Sequence, residues 1–403
     1  MRFFSFHYMT YTGLDAAKAI EDHGVGWCTL PNSLADGRAM AHDWNNYLDQ
    51  AAFADEVGFD GVAVNEHHQT AFGTMPNPNV MAAALTQRTK RARIGVFGNA
   101  LPLRASPLQS IEEYSMLDVL SNGRIEAGFV VGGGPEYYNF AQSPADARGR
   151  FAEALSLARK AWTEPGPFRW DGQHYQYDIV NPWPVPVQTP HPPVWICGVG
   201  SPSTMDMCAR ENLGYLGVNT NVGHEDFVGQ CEYFRKAADR YGREFDPGKI
   251  GWLCHVHIAD SDELAIQEFM QHSAQSSLLT RGFAGPYKTY FPPGHMPPDK
   301  LALWERHTRN TATGKSAVER DPEPLFGSPD TVADRMIRRL KEYQIGNLVI
   351  AFQWGSMPQE MVLRSMRRFA EDVMPRVRAE VGGMLDELYP NRSKDVPSQE
   401  FAS

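Results

Sequence analysis

The sequence predicts an α/β fold, a (β/α)8 TIM barrel with loop insertions at its C-terminal mouth. Eight short apolar, often β-branched runs alternate with helix-period segments from the first residues almost to the last, the pattern of repeated βα units around a parallel sheet. The length of 403 residues allows one large barrel, a fold that often exceeds the usual domain size, or two ordinary domains, and does not decide between them. With 42% hydrophobic and 21% charged residues, the chain carries enough apolar surface for a full core.

The expected strands are residues 3–7, 61–66, 93–99, 125–131, 194–198, 215–220, 250–258 and 347–352. The helix after the first, 45–56, stops at Gly58, where glycine tolerates the left-handed conformation that ends a helix. Further helices are expected at 79–89, 108–120, 148–162, 203–211, 225–241, 262–276 and 359–378. Ser328 and Asp330 suit the start of an extra helix before the last strand. Eight parallel-connected strands most readily close into a barrel.

Three stretches break the rhythm and read as insertions: 22–43, the Pro-rich 164–193, and the long 278–326. Long loops in compact domains serve as lids or binding loops. Residues 1–389 therefore read as a single barrel domain, and 390–403 as a polar tail.

The formal charge of −10 argues against nucleic acid or anionic lipid as a partner and favours a small-molecule ligand. Five cysteines without a C-x-x-C pair fit buried thiols in a reducing compartment, so a cytoplasmic location is expected. The chain start lacks signal-peptide character, and no apolar run is long enough to span a bilayer, so no membrane association is expected.

Asn65-Glu66-His67-His68 closes the second strand, where this fold builds its active sites. Strand alternation turns Glu66 and His67 different ways. His67 is the candidate for the mouth, able to pass a proton or donate to a developing anion, with Glu66 behind it fixing its tautomer. Two other readings compete: a buried structural Glu66–His67 pair, and a metal site in which Glu66, His67 and His68 join His255 and His257. Against the metal, the first strand reads Phe-Ser-Phe-His rather than the H-x-H usual in metal-dependent hydrolase barrels.

Val199-Gly200-Ser201-Pro202-Ser203-Thr204 follows the fifth strand and opens a helix. Close backbone approach at glycine, hydroxyl donors and a helix N-terminus together suit a phosphate, although Ser and Thr also begin helices merely as caps. Arg148 and Arg150 open the helix after the fourth strand, beyond the run Gly132-Gly133-Gly134, and an arginine there is placed to meet the same phosphate.

The segments NEHHQTAFG, NALPLRASPLQSIEEYSMLDVLSNGRIEAGF, the Arg148 helix, PPVWICGVGSPST and SMRRFAEDVMP together resemble the bacterial luciferase-like flavin monooxygenase family through nearly the whole chain. The resemblance implies a barrel that binds FMN, used in reduced form and supplied by a separate NAD(P)H:flavin reductase. It also implies reaction with O2 through a flavin C4a-peroxide, and hydroxylation or Baeyer–Villiger oxidation of a small organic substrate. By motif position His67 is similar to the family's catalytic histidine, with Glu66 its neighbour. Arg148 resembles the phosphate-binding arginine, and Gly200, Ser201, Ser203 and Thr204 fall where the family wraps the phosphate. Asn99 falls where the flavin ring lies against a cis peptide, expected here near residues 97–98.

A reactive oxygenated flavin needs a covered apolar pocket. Phe6, Tyr8, Trp27, Phe72, Phe352 and Trp354 are candidates to line it. Where light-emitting relatives carry Cys-Arg after the fourth strand, this chain has Val130-Val131-Gly132, so light emission is not expected and the phosphate grip rests on Arg148 and the 201–204 segment. The resemblance also implies a homodimer packed through helices near the second and third strands. The rival readings are an F420-dependent dehydrogenase or reductase on the same fold and a noncatalytic flavin-binding protein.

Overall fold

The computed structural model describes residues 1–24, 27–218, 223–284 and 321–392. Eight strands close a barrel in which every neighbouring pair is parallel: β1 (Arg2–His7), β12 (Asn347–Ala351), β9 (Ile250–His255), β8 (Gly214–Gly217), β7 (Val194–Gly198), β4 (Ile125–Val130), β3 (Arg93–Ala100) and β2 (Gly61–Val64). All eight barrel strands start within one residue of the expected positions.

Alternation along the strands sorts the core. Phe4, Ala63, Phe97, Trp195, Leu216, Leu253 and Val349 cluster inside the barrel, while Phe3, Val62, Ile94, Ile196, Tyr215, Ile250 and Leu348 pack with the helices outside. Glu126 stands among the inward residues and is fully buried. Its carboxylate accepts from Arg2 Nη1 at 2.7 Å, Arg93 Nε at 2.5 Å and Trp195 Nε1 at 2.7 Å, so the base of the barrel is closed by a satisfied ionic cluster.

Helices α2 (Gly37–Glu56), α3 (Pro78–Arg88), α4 (Pro107–Ser121), α6 (Ala147–Thr163), α7 (Pro202–Glu211), α8 (His224–Arg240) and α9 (Asp262–Ala284) follow the strands, and α10 (Pro329–Tyr343) precedes β12. The Ser328 hydroxyl accepts from Thr331 N–H, capping α10 as expected. A last helix, α11 (Gln359–Arg368), runs on through π-helical turns (Phe369–Val373, Arg378–Gly382) to Leu388.

The departures from expectation lie in the insertions. The 22–43 stretch is half helix, because Asp36 caps α2 eight residues earlier than the apolar pattern begins, and α1 (Ala16–His23) precedes it. The 164–193 stretch holds an antiparallel hairpin of β5 (Phe168–Asp171) and β6 (Gln176–Val180), hidden from sequence by mostly exposed strands. The expected strand 250–258 is two: β9 stays in the barrel, and β10 (His257–Ile258) leaves it to pair with β11 (Phe326–Gly327). Of the expected sixth strand, residues 219 and 220 lie outside the described residues, as do 285–320 of the third insertion and 393–403 of the tail. Among the described residues no helix is long and apolar enough to cross a membrane.

Candidate active site at the barrel mouth

The C-terminal ends of four adjacent strands, in the order β2, β3, β4, β7, carry the site. After β7, Gly200 adopts a positive φ of 96° and turns the chain into α7, with Ser201 immediately before the helix and Pro202 in its first turn. Arg148, in the first turn of α6 after β4, reaches across: Nη1 donates to the Ser203 hydroxyl and Nη2 to Ser201 Oγ at 3.2 Å. The two hydroxyls lie 3.0 Å apart. A guanidinium, two hydroxyls and a helix N-terminus thus converge on one spot, a donor set that fits a dianionic phosphate.

The remaining predicted members play supporting parts. The Gly200 N–H donates to Tyr215 Oη at 2.9 Å, and Thr204 N–H to the Ser201 carbonyl at 3.0 Å, so both amides brace the turn itself. Arg150 does not join Arg148. Its Nε donates to Pro102 O at 3.0 Å and Nη2 to Arg104 O at 2.9 Å, with the guanidinium over the Tyr175 ring, so it ties α6 to the connection after β3.

Asn99 is the penultimate residue of β3 and is fully buried, beside a cis peptide at Phe97-Gly98, where the resemblance placed one, and a register shift against β4 between Val96 and Asn99. Its Oδ1 accepts from Arg104 Nη2 at 3.3 Å, and its Nδ2 has no protein partner. A buried N–H without an acceptor is costly, so this amide suits a ligand that brings one.

His67 follows β2 and is half-buried, its ring edge-on to Trp27 at 5.3 Å and against Phe72 at 5.6 Å. The tautomer role expected of Glu66 is corrected. Glu66 Oε1 lies 2.7 Å from His68 Nε2, while its Oε2 accepts from Arg104 Nη2 at 2.8 Å and Ala100 N–H at 3.3 Å. Neighbouring residues leaving a strand point opposite ways, and that geometry sends Glu66 to the β3 side. The carboxylate at His67 is Glu136, on α5 (Gly134–Asn139), with Oε1 3.5 Å from Nδ1. Burial pushes the Glu136 carboxyl up, but hydrogen bonds from His67 and the Gly133 N–H, with the charge of His67, bring it net below its ordinary range. Glu136 and Arg104 were missed in the sequence; each sits just beyond the end of a barrel strand, the one positional signal that marks them.

Around His67 the aromatic lining is continuous. Tyr8 packs on Phe6 at 4.8 Å, Phe72 at 5.1 Å and Trp354 at 5.7 Å, and Trp27 on Phe72 at 5.3 Å. Phe352 does not belong to this set; it faces outward onto Phe59 and Phe369 in the helical layer. The H-x-H pair is split as well. His255 stays at the mouth beside Tyr8 and Trp354, whereas fully buried His257 bonds Glu268 at 2.7 Å on α9. Burial pushes the pKa of His7, at the end of β1, down to about 3, although a hydrogen bond to Gln50 opposes the shift, so this imidazole is neutral. Among the described residues no three or more His, Cys, Asp or Glu side chains are grouped to hold a metal ion.

The sequence profile of the luciferase-like monooxygenases matches residues 24–344. The oxygenase component of a flavin-dependent trigonelline monooxygenase from Acinetobacter baylyi is 24% identical over 233 residues, 57% of this chain; the match spans 63% of that relative, less than two thirds of its length. Among solved structures, the oxygenating constituent of the Baeyer–Villiger enzyme 3,6-diketocamphane monooxygenase from Pseudomonas putida, in complex with FMN, superposes with a TM-score of 0.66 at 20% identity, over 87% of this chain and 98% of that one. An F420-dependent secondary alcohol dehydrogenase superposes with a TM-score of 0.63 at 17% identity, over 94% and 99%. At these identities the superpositions speak for the fold.

Proposed function

The chain belongs to the luciferase-like monooxygenase family, and on that premise we propose that it is the oxygenase component of a two-component, FMN-dependent monooxygenase acting on a small organic substrate. The observation that carries this reading is the convergence of Arg148, Ser201 and Ser203 at one end of the mouth, with His67 after β2 at the other. Arg148 and the two hydroxyls would hold the flavin phosphate. Asn99, with its unpartnered Nδ2, would meet a ring acceptor. Reduced FMN, when bound, supplies the chemistry that activates O2.

His67 holds or delivers a proton beside the reacting atoms, and its aromatic neighbours keep water away from it. The outcome is hydroxylation or Baeyer–Villiger insertion, and the reduced flavin comes from a separate NAD(P)H:flavin reductase. The protein acts as a homodimer through α3 and α4, which expose Val80, Met116, Val119 and Leu120. Cys197, Cys208, Cys231 and Cys254 are buried thiols, in keeping with a cytoplasmic enzyme.

The second reading is F420-dependent hydride transfer, since an F420-dependent alcohol dehydrogenase shares the fold. Anaerobic titration with reduced FMN and with reduced F420, followed by oxygen-consumption assays, separates the two. Tight binding of reduced FMN with substrate-dependent oxygen uptake is expected. Selective binding of F420 with no use of oxygen would overturn the monooxygenase reading.

A further inference from the structure

We infer that Glu136 is the positioning residue of His67, holding its proton on Nδ1 so that Nε2 is the nitrogen turned to the reacting groups. This deepens the reading of His67 as the proton-handling residue and rests on it.

The geometry begins with the run Gly132-Gly133-Gly134. Gly132 takes a positive φ of 92° and turns the chain as it leaves β4, and α5 begins at Gly134 with Pro135 in its first turn. Glu136 is 5% exposed. Its Oε2 is pinned by the Gly133 N–H at 2.6 Å, in the reach-back of a helix-capping glutamate. The other oxygen, Oε1, is thereby aimed at His67 Nδ1, 3.5 Å away. That is long for an N–H···O bond, but catalytic hydrogen bonds of ligand-free enzymes commonly shorten in the reacting complex.

Among the described residues no other side chain is hydrogen-bonded to His67. Its ring packs on Trp27 and Phe72, and an added Cβ at Gly73 would stand 2.9 Å from His67 Cδ2. An ionised carboxylate only accepts, so the nitrogen facing it carries the hydrogen and neutral His67 keeps its lone pair on Nε2. Glu66 cannot compete, since both its oxygens are occupied by His68, Arg104 and the Ala100 N–H.

The charged groups around the pair are His68 and Glu66 on the segment after β2, and Arg104 from the β3–α4 connection. Glu66 lies between His68 and Arg104 and offsets them.

The test is long-range 1H–15N correlation NMR of the flavin-free full chain, with the His67 ring assigned by difference from H67N. In the wild type, His67 is expected as the Nδ1–H tautomer. In E136L, which offers no acceptor, the preference for Nδ1–H is expected to be lost, and in E136D to be kept. An Nε2–H tautomer in the wild type overturns the inference without any variant, as does an unchanged Nδ1–H preference in folded E136L. Loss of oxygenation in H67N tests the underlying reading separately, because it does not depend on which carboxylate sets the tautomer.

Discussion

Arg148 Nη2 donates to Ser201 Oγ at 3.2 Å, joining the first turn of α6 to the start of α7 across 53 residues of sequence. Each is an ordinary helix start alone; together they form the donor set proposed to hold the flavin phosphate. The R148A variant is expected to weaken reduced-FMN binding by roughly 10- to 150-fold, the equivalent of about 1.5–3 kcal/mol for hydrogen bonds to a charged group. S203A should lose less, and R148K should only partly restore affinity, because lysine lacks the planar fork. Anaerobic fluorescence titration measures this; affinity unchanged in R148A would remove the phosphate from this place.

On the proposed reading His67 handles a proton and does not grip the cofactor. H67N is therefore expected to bind reduced FMN as the wild type does, while oxygenation of a substrate found by oxygen-uptake screening falls roughly 10²- to 10⁴-fold. Full activity in H67N would end the assignment.

Gly128 on β4 has no room for a side chain: an added Cβ would lie 2.3 Å from the Val96 carbonyl oxygen and 3.0 Å from Phe97 Cα. Backbone must move to accept it, so G128A is expected to cost about 1–3 kcal/mol of stability. It should also weaken reduced-FMN binding through the displaced end of β3. Denaturant unfolding compared with G229A, an exposed helical site open to a Cβ, provides the check.

Burial pushes the Glu126 carboxyl up, but Arg2 and Arg93 outweigh it and hold the group below its ordinary range. A depressed folded pKa adds stability above the unfolded value of about 4.3 that is lost as pH falls through the folded value. E126Q leaves two arginines uncompensated and should cost about 3–5 kcal/mol at neutral pH. Its stability should also fall less steeply below about pH 4.3 than that of the wild type. Parallel acid limbs in urea unfolding at stepped pH would show that the cluster contributes nothing to acid sensitivity.

Met116, Val119 and Leu120 are 52%, 46% and 52% exposed on α4, beside Val80 at 66% on α3. Burial of this patch against a second copy predicts that V119E/L120E halves the mass seen by light scattering without loss of helical signal. A wild-type monomer, or a variant that stays dimeric, would refute the interface.

The barrel was legible in the chain because burial on both faces makes parallel strands continuous apolar runs, and repeated βα units leave few other ways to close eight of them. The β5–β6 hairpin was not, because its strands are mostly exposed and carry no apolar run. The break between His255 and His257 was also hidden, since Ile250 through Ile258 reads as one run and only pairing with Phe326–Gly327 splits it. Residue types at the mouth were likewise visible: His67, Asn99, Ser201 and Ser203 stand at or just beyond strand ends, and Arg148 opens the helix after the fourth strand. Their partners were not. Adjacent in sequence, Glu66 and His67 leave the strand in opposite directions, and Glu66 goes to His68 and Arg104. Glu136 lies 69 residues beyond His67 and reaches it because a glycine run folds α5 back across the mouth. Local sequence determines which strand end a side chain leaves from; which charge it then meets is decided by the turn and packing of other segments, which only the closed barrel brings together.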